Sequence, residues 1–186
     1  MSALGGAAGW LEWVVAAAVF WAAAEDFLFR RIPNASAALI LAASLLAAAY
    51  GTSQPEGLEA LRHVGAYTGF FWALGVLAVG FVLFMTRRMG AGDVKLAAVL
   101  ALWCAADAPL LVFAFSLAGG VMVLGLGLLR IAEARIALAF EAAAAAAGKT
   151  LKRTPVGLLP ASERTGLPYG LAIAAGYAVH LIGSIA

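Results

Sequence analysis

Residues 64–85 read VGAYTGFFWALGVLAVGFVLFM, a run with no charged side chain. A bilayer core asks a helix for about 20 apolar residues. A helix that is hydrophobic all round belongs inside a large core or across a membrane. In a chain of only 186 residues, the second is expected here.

The rest of the chain is built alike. Hydrophobic residues make up 65% of it and charged residues 12%, against roughly 25% charged in a soluble domain. No water-soluble globule of this size could hide that much apolar surface. Soluble enzyme, disordered tail and nucleic-acid binder are thereby excluded. Outward from 64–85, five further apolar segments follow the same pattern: 4–24, 35–50, 94–106, 109–129 and 167–185. The expected fold is all-α, a polytopic membrane protein forming a six-transmembrane-helix bundle as one domain over 1–186. The second and fourth segments are short for full spans, so their ends are expected in a protein-lined, water-accessible dip. The start lacks Lys or Arg before its apolar run and carries Glu12 within it, so it reads as a retained span rather than an export signal.

Charge gives the sides. Eleven of the twelve basic residues fall on alternate loops: Arg30 and Arg31, then Arg87, Arg88 and Lys95, then six across 130–166. The other loops hold only Arg62. Basic residues stay cytoplasmic, so both termini are expected outside and loops one, three and five in the cytosol. The segment 130–166 is expected to begin as a helix, either a tilted extension of the fifth span or one lying on the membrane face, and to continue beyond Gly148 as a loop. It could cover or dock onto a site at that membrane face.

The chain has three aspartates, Asp26, Asp93 and Asp107. Asp26 closes the first span and Asp93 opens the fourth, so both face the cytosol. Asp107 lies fourteen residues past Asp93, roughly 21 Å along a helix and at the opposite face. Only the first two can meet. Two carboxyls sharing a site do not both ionise easily. One can then draw a proton from water while the other hydrogen-bonds the carbonyl under attack, which hydrolyses a peptide bond without metal or cofactor. Taken singly, Asp93 could simply cap its helix and Asp26 could balance Arg30 and Arg31. Gly90 and Gly92, flanking Ala91 before Asp93, would let an extended substrate approach the backbone. Pro33, ahead of Asn34, suits the first helical position of the second span.

These residues carry a family resemblance. Asp26 through Pro33-Asn34, read as D-x6-P-N, resembles the first motif of type IV prepilin peptidases. Gly90-Ala91-Gly92-Asp93-Val94-Lys95 resembles their GxGD motif, which presenilin-type proteases also use. Leu167-Pro168-Tyr169-Gly170 resembles the last span of the short branch serving Flp/tight-adherence pili. The resemblance implies an aspartic endopeptidase of the bacterial inner membrane. It would remove the basic leader of a membrane-inserted prepilin on the cytoplasmic face, with Asp26 and Asp93 catalytic. Larger members carry paired cysteines and methylate the new pilin terminus; the single Cys104 makes that activity unexpected here.

Lys95 could modulate Asp93 or contact substrate, and Tyr169 could hydrogen-bond within the site. Arg30, Arg31, Arg87 and Arg88 are expected as topology anchors, and His63 and His180 as structural. A proton-coupled transporter or channel, or a non-catalytic pilus-assembly factor, is the alternative function. Acids gathered at one face disfavour transport.

Overall fold

A computed structural model describes residues 9–53, 66–148, 150–151, 153–160 and 166–185. The described residues form seven α-helices and no strand: α1 (Gly9–Phe29), α2 (Asn34–Ser53), α3 (Ala66–Met85), α4 (Ala91–Cys104), α5 (Ala108–Leu124), α6 (Leu126–Ala146) and α7 (Tyr169–Ile185). Six of them answer the six apolar segments; α6 is the helix expected at the start of 130–166.

The core is organised around α4. Leu96, Ala97, Ala98, Leu100 and Ala101 are all buried, so this helix is enclosed on nearly every side, as its apolar run beyond Lys95 requires. It packs against α2, α3, α5 and α7, while α1 packs against α2 and α7. On α1 the buried residues Leu11, Val15, Ala18, Val19 and Ala22 recur every three or four positions, which puts them on one helical face. The opposite face leaves Trp13 and Phe20 outside. The outside of α3 is likewise apolar, with Phe70, Phe71, Phe81 and Val82 exposed. Water-soluble proteins rarely expose contiguous faces of that kind. Two stretches, Tyr67–Met85 and the nearly continuous Ala91–Leu124, are long and apolar enough to cross a membrane.

Three boundaries differ from the sequence expectation. Helix α2 extends to Ser53, past the expected end at residue 50, while Asn34–Ala49 stands among the shorter apolar helices. Helix α4 is short, as expected, but covers Ala91–Cys104 instead of 94–106, and a 3-10 turn at Ala105–Asp107 joins it to α5. The fifth segment stops at Leu124 instead of reaching residue 129, because Gly125 interrupts the helix and α6 starts at Leu126. Backbone bonds from Gly125 to Val121 and from Leu129 back to Gly125 carry the chain through this corner. The stretch expected as a loop beyond Gly148 contains a buried 3-10 turn, Val156–Leu158. Gly157 in that turn lies against the backbone of Glu133, which seats the segment on α6.

Candidate active site

Helix α1 ends where Arg30 turns into the left-handed region, at φ 51°. There its N–H bonds the Asp26 carbonyl at 2.9 Å. This is a left-handed helix cap built on arginine, although a side chain costs about 1–2 kcal/mol there relative to glycine. Asp26 therefore sits in the last turn of α1, where it is buried. Its Oδ2 accepts the backbone N–H of Gly170 at 2.8 Å, in the first turn of α7. A helix N-terminus offers unpaired N–H groups and the positive end of the macrodipole, both suited to a carboxylate.

Asp93 occupies the first turn of α4 and is buried. Its Oδ2 folds back to accept the Gly90 N–H at 3.1 Å; Gly90 is thus the N-cap and Asp93 the third helical residue reaching back to it, instead of the cap expected as its plain alternative. The other oxygen, Oδ1, is buried without a hydrogen-bond partner among the described residues. The glycines serve the fold itself. A Cβ at Gly90 would stand 2.7 Å from Asp93 Oδ2, and one at Gly92 would stand 3.0 Å from Ile32 Cβ. The missing side chains make room for the carboxylate of Asp93 at Gly90 and for the α1–α2 turn at Gly92.

That turn joins the two motifs. Ile32 lies on Gly92, and Lys95 Nζ donates to Asn34 Oδ1 at 3.5 Å between exposed partners. Pro33 stands just before α2, its carbonyl accepting both the N–H and the hydroxyl of Ser36. It is therefore the residue ahead of the first helical position rather than the first itself. Asp26 and Asp93, separated by 67 positions in sequence, come close enough for the charge of Asp26 to act on Asp93, and Arg30 acts on both.

Arg30 is not a free anchor. Its Nη2 donates to Oε1 of the buried Glu133 on α6, and Phe29 meets Phe140 of the same helix edge-on at 6.2 Å. Tyr169 opens α7 with its ring edge toward Gly119 of α5; within its segment, the group that reaches Asp26 is the Gly170 backbone. At the far end of α4, Asp107 pairs with His180 at 3.3 Å, away from the aspartate pair and in keeping with a structural role for His180. His63 lies outside the described residues. No group of three or more His, Cys, Asp or Glu converges among the described residues as a metal would need.

The decisive comparison is with protein families. A family model described as the type IV leader peptidase family matches residues 13–124, more than half of the 186 residues. The chain belongs to the type IV leader peptidase family. The matched region includes Asp26, Pro33, Asn34, Gly90, Gly92, Asp93 and Lys95. No curated protein and no solved structure gives a match.

Two contributors to the site of this leader peptidase were not found from sequence. Gly170 acts through its backbone N–H, which no side-chain pattern announces, although it lay inside the quoted Leu167–Gly170 motif. Glu133 was passed over as one charge in a basic segment. Between Arg130 and Arg135 it has the look of an ordinary solvated charge, so nothing local marked it for burial.

Proposed function

We propose that this leader peptidase is a membrane-embedded aspartic endopeptidase that cuts the leader from a pilin-type precursor at the cytoplasmic face, with Asp26 and Asp93 activating water. The observation that carries the reading is a pair of buried carboxyls near enough for the charge of Asp26 to act on Asp93, whose Oδ1 has no hydrogen-bond partner among the described residues. Family membership supports a peptidase acting on leaders. The apolar outer faces and the two long apolar stretches support a bilayer setting. The loop charges support a cytosolic site.

In this mechanism the pair holds one proton between its two members, because like charges in a poorly solvated site do not both ionise. The ionised carboxylate takes a proton from water as the oxygen attacks the scissile carbonyl carbon. The protonated partner hydrogen-bonds the carbonyl oxygen and takes up part of its developing charge. Collapse of the tetrahedral adduct breaks the C–N bond, and the departing amine receives a proton from the pair. One water is consumed, and an acid and an amine leave. The backbone donors at Gly170 and Gly90 hold the two carboxyls in place throughout.

The test is co-expression with a Flp-type prepilin and a gel that resolves leader removal. Asp26→Asn and Asp93→Asn should each lower processing by at least about 100-fold, the scale of lost acid–base catalysis, while the protein still inserts. A single variant that processes at the wild-type rate would remove the aspartyl mechanism.

A further inference from the structure

The Arg30–Glu133 pair joins the cap of α1 to the middle of α6, across 103 positions of sequence. Taking a carboxylate and a guanidinium out of water costs several kcal/mol per ion, and apolar side chains of similar volume often stabilise as well. The pair is also incompletely satisfied. Arg30 Nε, Arg30 Nη1 and Glu133 Oε2 are buried without a hydrogen-bond partner among the described residues. Stability alone gives no reason for such an arrangement.

Its surroundings give one. The Arg30 N–H bonds the Asp26 carbonyl at 2.9 Å, so the side chain leaves the backbone one helical turn from Asp26, where its charge reaches both aspartates and that of Glu133 reaches Asp26. The left-handed cap fixes where the Arg30 side chain leaves the backbone. A guanidinium is a rigid planar fork, so anchoring Nη2 on Glu133 also fixes the direction of Nε and Nη1. Gly157, packed on the Glu133 backbone, and the Phe29–Phe140 contact steady α6 from two sides.

We propose that Arg30 and Glu133 are a positioning pair for the peptidase reaction: Glu133 holds the guanidinium beside the two aspartates, where its fixed positive charge offsets the negative charge that grows during water attack. Helix α6 is on this account part of the active site and not only a cover. The inference rests on the aspartyl mechanism above. A preorganised charge of this kind acts on the transition state more than on substrate binding, which separates it from a mechanical brace.

The experiment uses the purified full-length chain in lipid nanodiscs with a leader-bearing prepilin, comparing Glu133→Gln, Glu133→Asp and, as a control on the exposed side of α6, Glu141→Gln. Glu133→Gln should lower kcat about tenfold or more while KM moves less than about threefold, the pattern of an interaction made in the transition state. Glu133→Asp, which keeps the charge, should recover part of the loss, and Glu141→Gln should match wild type. A wild-type kcat in Glu133→Gln overturns the proposal, as does a loss carried wholly by KM or by the folded fraction. A second measurement needs no substrate. The infrared carboxyl band of the protonated aspartate, assigned by its loss in Asp93→Asn or Asp26→Asn, should shift in Glu133→Gln and stay put in Glu141→Gln. An unmoved band also overturns it. If the wild-type chain cleaves no leader, the aspartyl mechanism fails, and the infrared comparison still decides whether Glu133 acts on the pair.

Discussion

Asp26 Oδ2 and the backbone N–H of Gly170 meet at 2.8 Å, across 144 positions of sequence. This bond ties the last turn of α1 to the first turn of α7 and sets the orientation of one member of the aspartate pair. Its donor is main chain at a helix start, so the carboxylate is held by a group with no rotamers of its own. Glycine is required for the close approach: a Cβ at residue 170 would stand 2.9 Å from Asp26 Cβ and 3.0 Å from Asp26 Oδ2.

Gly170→Ala should therefore displace the Asp26 carboxyl without removing any charge. A catalytic group moved by about 1 Å costs on the order of 100-fold in rate, and overpacking a tight contact costs about 1–3 kcal/mol in stability. Leader processing in co-expression, with the amount of inserted protein measured alongside, checks both. Wild-type processing by Gly170→Ala would show that this bond does not position the site.

The opposed placement of the motif end and the Asp107 end of α4 is open to labelling. Cys104 is the single cysteine and is buried, so introduced cysteines can be read against a low background. Arg88→Cys should react with an impermeant maleimide from the cytoplasmic side, and Asp107→Cys from the outside. Labelling of both from one side would overturn the proposed orientation.

Inside and outside differ by solvent, and so do the costs of trimming a side chain. Leu100 is fully buried in α4, whereas Leu128 on α6 is 77% exposed. Leu100→Ala should destabilise by about 2–5 kcal/mol through lost packing and a residual cavity. Leu128→Ala should stay within about 0.5 kcal/mol. Unfolding midpoints in a common micelle give the comparison, and equal costs would place Leu128 in an interface instead.

The Lys95–Asn34 contact joins the two motifs but lies between exposed partners at 3.5 Å. Contacts of this kind contribute about 1 kcal/mol or less. Lys95→Ala should accordingly leave the unfolding midpoint nearly unchanged, and any loss of processing it causes should fall on KM. A large drop in the midpoint would mean that the contact braces the fold.

Local signals marked most of the helices because each one announces itself within its own stretch. The uncharged run at 64–85 became α3, and 167–185 became α7, which opens at Tyr169. The corner at Gly125 was missed because the apolar pattern runs through it to Leu129, and hydropathy does not register a break in the backbone hydrogen-bond ladder. The length of α2 was underestimated for a related reason: its last residues are small or polar, yet they continue the helix to Ser53.

Composition and hydropathy were enough, taken alone, to mark an apolar, helical chain; the motifs around Asp26 and Asp93 carried the family resemblance, and loop charges set those two acids apart from Asp107. Those properties are local or additive, so they can be read along the chain. The partners of the acids could be decided only by folding. The Gly170 N–H, the fold-back of Asp93 onto Gly90 and the inward turn of Arg30 onto Glu133 each depend on where a helix begins or ends in space. Backbone donors carry no side-chain signature, and a buried ion pair exists only once two distant helices have packed.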